Sequence, residues 1–276
     1  MSLRKFLPVR SGVIASLVAG LVIYTLFPVY WMVVSSVREK AKLFSTEIFP
    51  DAFSFESYRT ILTLTDFPTY YLNSILVTIA TTLMTIGLAT PMAYALVRGK
   101  VPGAMLVVRA MLFAYMFPAM LLAIPIQVFL VHVGFDDSLI SLIFAYSSFT
   151  LPLGVWMMWS FLKRFPFEIE EAAWIDGCSR WKAIYLIILP VTMPGVISVA
   201  IFSFLLAWSD FVFSLILISR DELKTLPYGL SSIVTAYDAD WGVIMAGSTM
   251  ISLPLLALFI FLGRYFVAGL SAGAVK

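Results

Sequence analysis

The sequence predicts an all-α integral membrane protein, and three observations predict it. Of 276 residues, 61% are hydrophobic and only 12% charged, and the mean hydropathy is +0.99. A water-soluble domain of this length cannot bury so much apolar surface. The apolar residues are also gathered into six long runs, each able to cross a hydrocarbon layer roughly 30 Å thick. Within those runs apolar and polar residues do not alternate, as they would along the strands of a membrane barrel, so helices are the reading.

Six spans are expected within a single transmembrane domain of residues 1–276: approximately 12–35, 70–97, 104–131, 137–162, 184–218 and 241–267. The first follows Arg4, Lys5 and Arg10, exceeds a signal-peptide core in length and shows no small-residue cleavage site, so it reads as a retained span. The third and fourth carry Pro118, Pro125 and Pro152, expected to kink the helices and free backbone carbonyls near a cavity. The fifth is too long. Ala183 to Ser219 is 37 residues, roughly 55 Å as one helix at 1.5 Å per residue. A break is therefore expected near Pro190 and Pro194. Between the first two spans, residues 36–69 form the largest extramembrane loop, where Phe53, Phe55, Tyr58, Ile61 and Leu62 predict a short amphipathic helix lying on the membrane or on the bundle.

Basic residues set the orientation. With both termini inside, the inner set is Arg4, Lys5, Arg10, Arg98, Lys100, Arg109, Lys163, Arg164, Arg180, Lys182, Arg264 and Lys276. The outer set is Arg38, Lys40, Lys42, Arg59, Arg220 and Lys224, so 12 of the 18 cations are inside. Cytoplasmic N- and C-termini and a multi-pass protein of a bacterial inner membrane are the expectation.

Several chemistries are disfavoured. A net charge of +2 gives no footprint for nucleic acid. A single cysteine, Cys178, excludes an internal disulfide and a cysteine-rich metal site. Gly99-Lys100 is the only glycine–lysine pair and lacks the rest of a phosphate loop, so no ATP hydrolysis is expected from this chain. The lone histidine, His132, cannot make a zinc site by itself and reads as structural. No base is evident at membrane depth to activate a serine. No catalytic residue, metal ligand set or cofactor of its own is assigned.

One polar island interrupts the apolar pattern. Phe165-Pro166-Phe167 ends the fourth span, and proline suits the first turn of a new helix. Glu168, Glu170 and Glu171 follow, where acids complement the helix dipole. Ala172 and Ala173 give a smooth face, Gly177 permits a tight turn, and a second helix from about Ser179 runs into Leu189-Pro190. This is a helix–turn–helix, residues 166–182, presented to a partner from the cytoplasmic side.

Here the sequence resembles the membrane subunits of binding-protein-dependent ABC importers. Their hallmark is a cytoplasmic Glu-Ala-Ala, three residues, glycine, and then leucine–proline. Glu171-Ala172-Ala173, Gly177 and Leu189-Pro190 match it, with Asp176-Gly177 as in the sugar branch. Asn73-Ser74, Ala93-Tyr94-Ala95, Trp208-Ser209-Asp210 and the tail from Gly269 to Lys276 resemble maltose-type carbohydrate permeases, the tail being most like the smaller second permease. Ser209 departs from a frequent asparagine, and Cys178 from a usual alanine.

The resemblance implies a type I importer permease (MetI-like) fold and a heterodimer with a second permease. It further implies two cytoplasmic ATPase subunits that bind ATP and Mg, an extracytoplasmic solute-binding protein and a sugar substrate. Glu170, Glu171, Ala172, Ala173, Asp176, Gly177, Leu189 and Pro190 would form the ATPase-coupling segment, with Glu171 pairing a basic residue there. Gly273 and Lys276 of the tail would touch the ATPase.

Asp210 is the one carboxylate inside an apolar span, beside Trp208 and Phe211. An intramembrane acid is expensive and marks a functional position. Asp210 and Trp208 together offer the carboxylate and aromatic face that bind sugars; the alternative is an acid that only bonds a neighbouring helix and shapes the pore. Ser209, Asn73, Ser74, Gln127, Tyr115 and Tyr146 are further candidates for the substrate path or for interhelical bonds. Three rival readings are a permease of the same architecture for a non-sugar solute, an ion-driven secondary transporter and an intramembrane enzyme. The second calls for more intramembrane charge and paired repeats than this chain carries.

Overall fold

The computed structural model describes residues 7–99, 101–236 and 240–274. They form helices and connecting turns, with no strand among the described residues. Four helices are long and apolar enough to cross a membrane: α1 (Leu7–Ser36), α3 (Phe67–Arg98), α6 (Leu139–Leu162) and α13 (Trp241–Ala274). Two bent pairs raise the number to as many as six, if each pair is one span. In the first, α4 (Ala104–Tyr115) meets α5 (Ala119–His132) at 100°; in the second, the segment Ile184–Val191 meets α10 (Met193–Ser209) at 77°.

The chain divides into two compact units, Met1–Thr65 with Ile233–Leu253, and Asp66–Ser232 with Pro254–Lys276. In the first, α1 exposes its apolar side chains from Val13 to Phe27, as a helix surrounded by other apolar matter must. Past its end, Arg38 is buried, donates to the carbonyls of Ser45 (2.5 Å) and Glu47, and lies 4.9 Å from the centre of the Trp31 ring. The loop is thus wound around one guanidinium. Tyr58 of α2 (Glu56–Thr63) bonds Ser36 at 2.8 Å, and Ile61 is wholly buried. Phe53 and Phe55 precede α2 and stay exposed, so the predicted amphipathic helix is shorter than its aromatic run. Asp240 caps α13, its carboxylate accepting from the N–H groups of Gly242 (3.1 Å) and Val243 (3.3 Å), and its other oxygen meets Lys40 at 2.8 Å.

In the second unit, α3, α6 and α10 pack as a three-helix core. Glycine at 154 lets them approach: a Cβ there would meet Thr85 at 3.1 Å, Val199 at 3.2 Å and Ala89 at 3.4 Å. One apolar cluster gathers Val77, Leu142, Tyr146 and Phe149 with Phe213 and Leu217. A second gathers Ala89, Ala93, Val155, Met158 and Leu162 with Phe165, Ile184 and Ile188. Prolines act unequally. Pro118 sits at the α4–α5 corner, whereas Pro125 and Pro152 lie inside helices that continue through them. Gly134 ends α5 at φ +83°, where only glycine is unstrained.

The long fifth segment is broken twice. Arg180–Ala183 (α8) widens into a π turn over Ile184–Ile188 and closes with Leu189–Val191 (α9). Pro190 lacks an N–H, and Thr192 answers the Ile188 carbonyl with both its N–H (2.8 Å) and its hydroxyl (2.7 Å), at the corner. The sequence placed this break near Pro190 and Pro194. A second break, at Asp210–Phe211 before α11 (Val212–Leu217), carries no proline and was not anticipated.

Candidate functional site

The polar island folds as helix α7 (Phe167–Ile175) and a turn. Pro166 precedes the helix and Glu168 and Glu170 occupy its first turn, where the dipole favours them. The helix ends in a Schellman motif. Cys178 N–H donates to the Ala173 carbonyl (2.9 Å), Gly177 N–H to that of Trp174 (3.1 Å), and Gly177 takes φ +83°. The glycine of the motif is therefore demanded by backbone geometry.

The helix has two faces. Ala173 is buried, and Glu170 is buried with only 1% of its surface exposed. Glu171, Ala172, Ile175, Asp176 and Gly177 are exposed, Ile175 to 86%. A large aliphatic side chain thus stands out beside a carboxylate and a small alanine. Leu189 is partly buried and Pro190 exposed, after the π turn rather than on α7 itself.

Glu170 therefore leaves the outward-facing set in which the sequence placed it. Its Oε1 accepts from Arg98 Nε at 2.7 Å and its Oε2 from the Tyr94 hydroxyl at 3.1 Å. A second Arg98 nitrogen donates to the Phe165 carbonyl at 2.7 Å, and the guanidinium lies 5.2 Å from the centre of the Phe167 ring. Arg98 is the last residue of α3, so the terminus of one spanning helix holds the first turn of α7 and the residues that lead into it. Sequence reasoning missed this pair. Arg98 was read as one of the inner cations, and 72 residues separate it from Glu170.

The candidates for a substrate path are dispersed. Asn73 is buried and its amide donates to the carbonyls of Glu222 (2.8 Å) and Lys224 (3.0 Å). Ser74 accepts from Leu226 N–H at 2.7 Å, so both pin a loop rather than face a solute. Trp208 is 1% exposed, stacked on Phe204 and edge-on to Tyr71, which leaves no ring face for a sugar. Gln127 donates to the Ile216 carbonyl at 3.0 Å. Tyr115 packs edge-on against Phe202. His132 is exposed, and its Nδ1 lies 2.7 Å from the Val128 carbonyl of its own helix.

Asp210 remains, with Ser209 exposed beside it. One oxygen of Asp210 accepts from the Tyr146 hydroxyl (3.0 Å) and from Phe213 N–H (2.9 Å), so the carboxylate holds the start of α11 at the break. This is the interhelical alternative for Asp210. Lys276 lies outside the described residues, and Gly273 falls in the last turn of α13. Among the described residues no cluster of three metal-ligating side chains occurs.

Fold and site together define a class: a multi-pass helical membrane protein that holds a short polar helix, exposed on one face, against the end of a spanning helix. A family described as the binding-protein-dependent transport system inner membrane component matches residues 85–272. The chain belongs to that family. It is 33% identical to the diacetylchitobiose uptake system permease protein DasC of Streptomyces coelicolor over 91% of both chains. It is 34% identical to the inner membrane ABC transporter permease protein YcjP of Escherichia coli, over 97% of this chain and 96% of the other. The trehalose/maltose transport system permease protein MalG of Thermococcus litoralis is 32% identical over 92% of each. A crystal structure of a bacterial ABC transporter involved in the import of the acidic polysaccharide alginate shares the fold, with a TM-score of 0.83 over 96% of this chain and 100% of that one at 17% identity. These relatives are transport permeases, not enzymes.

Proposed function

We propose that this chain is a transmembrane permease subunit of an ATP-driven importer for a sugar, oligosaccharide or sugar derivative. It resides in a bacterial cytoplasmic membrane and pairs with a second permease. Two ATPase subunits bind at segment 166–182, and a solute-binding protein delivers substrate from outside. Relatives named for diacetylchitobiose and trehalose or maltose support the substrate class. The observation that carries the coupling role is the exposed face of α7, with Glu171, Ala172 and Ile175 presented on a helix whose opposite side is locked by Glu170.

The mechanism follows from that geometry. ATP and Mg are held by the partner ATPases, and this chain performs no covalent step. Ile175 and Ala172 fill an apolar hollow on the ATPase while Glu171 pairs with a cation at its rim, which fixes register. Closure of the two ATPases carries α7 with it. The tail around Gly273 and Lys276 adds contact to the ATPase by resemblance. Inside the membrane, Asp210 and Ser209 border the path at the second break of the fifth segment, and Trp208, Asn73 and Gln127 support it from behind.

Glu171→Lys tests the reading in the assembled complex. The variant inserts and assembles, but uptake driven by ATP falls by about two orders of magnitude, the scale of a lost interfacial charge pair. Uptake at the wild-type rate by that variant contradicts the coupling role.

A further inference from the structure

Arg98 closes α3 and makes three contacts to one short stretch of chain: Glu170 Oε1 at 2.7 Å, the Phe165 carbonyl at 2.7 Å and the Phe167 ring at 5.2 Å; Tyr94 of the same helix adds a hydrogen bond from its hydroxyl to Glu170 Oε2 at 3.1 Å. Its side chain is 15% exposed and that of Glu170 1%, so solvent does not loosen the pair. Phe165 belongs to the same apolar cluster as Ala89 and Ala93 of α3. A planar fork that satisfies a carboxylate and a carbonyl at once resists rotation as well as separation. On its other side α7 leads through the Gly177 turn to α8, on which it packs, and into the irregular run of π and α turns over 180–191.

We propose that Arg98 and Glu170 are positioning residues that make α7 and α3 one rigid lever, so that displacement of α7 reaches the membrane through α3 as well as through the fifth segment. The inference rests on the proposed coupling role of segment 166–182. It adds that Glu170 acts inside the chain while Glu171 acts outside it. Because α3 packs on both α6 and α10, a push at α7 tilts that three-helix core as a unit, and the corner at Thr192 absorbs the difference.

The test uses the full complex of both permeases, the ATPases and a loaded binding protein in proteoliposomes. Glu170→Gln keeps the shape of the acid, and with Arg98→Gln it removes the charge pair and the guanidinium fork. Solute moved per ATP hydrolysed falls about tenfold, the scale expected for a residue that carries coupling. The exchanged pair, Arg98→Glu with Glu170→Arg, restores part of the ratio, which shows that the contact between the two side chains, and not either side chain alone, carries it. An unchanged ratio in the assembled neutral variant overturns the proposal.

A second measurement needs no change at the pair. Spin labels at Ala95→Cys and Glu168→Cys, with Cys178→Ser, report the distance between α3 and α7. It stays constant between the nucleotide-free and ATP-bound complexes if the lever is rigid; a change between these states overturns the proposal. Failure of the coupling role itself is distinguished because it appears with the wild-type chain, as absence of any ATPase bound to segment 166–182.

Discussion

Glu170 and Glu171 are neighbours in sequence and opposites in environment. The first is paired and buried, the second exposed. Removing one partner of a buried ion pair leaves the other uncompensated and costs about 3–5 kcal/mol. Glu170→Ala therefore lowers the thermal midpoint of the detergent-solubilised permease pair, whereas Glu171→Ala leaves it unmoved; differential scanning fluorimetry reads both. Asp210 behaves as a third kind of acid. Asp210→Ala frees Tyr146 and the Phe213 N–H, at about 1–3 kcal/mol for each buried group left without a partner. Asp210→Asn keeps an acceptor and restores the stability, so any change it makes in uptake selectivity reports on the solute path. The polar island was legible in the sequence because charge, proline and glycine stand out against apolar runs. Which of its acids turned inward was not, since helical spacing does not say where Arg98 lies 72 residues away.

At the scale of elements, the packing seams set the tolerances. A Cβ on Gly195 would sit 2.6 Å from the Phe161 ring, so Gly195→Ala overpacks the contact between α6 and α10 and costs about 1–3 kcal/mol, measurable as a lower unfolding temperature. At the start of α13, Asp240 is both cap and ion-pair partner. Burial pushes its carboxyl upward, but the Lys40 hydrogen bond, the Val243 N–H and the Lys40 charge outweigh burial and hold it below its ordinary 3.8. The Asp240 hydrogen bond and charge raise Lys40 above its ordinary 10.5. The carboxylate's contribution is thus complete above pH 3.8 and is lost as pH falls through the lowered value. The ammonium's is complete below pH 10.5 and lost as pH rises through the raised one. Protection of the Gly242 and Val243 amides against hydrogen exchange, relative to the intrinsic rate at each pH, holds between those limits and falls below the acid one; protection indifferent to acid contradicts the cap. Long apolar elements were readable from hydropathy, and so was the proline-marked corner of the fifth segment. The break at Asp210 was hidden because a carboxylate that accepts a backbone N–H leaves no mark in composition.

At the scale of the whole molecule, the family and the fold assign a membrane-embedded transport permease, and the proposed function has the energy for transport enter from a partner. The apolar majority of the sequence declared the class, and one motif declared the family; the internal wiring from α7 to α3 came only with three-dimensional contacts. The central claim is that the exposed face of α7 is where that partner grips. Crosslinking from Ile175→Cys in a Cys178→Ser background, within an assembled complex shown to hydrolyse ATP, tests it most directly. The account predicts a covalent link to the ATPase subunit whose yield changes with bound nucleotide. An active complex in which position 175 remains freely accessible to a water-soluble thiol reagent, with no link to the ATPase in any nucleotide state, contradicts it.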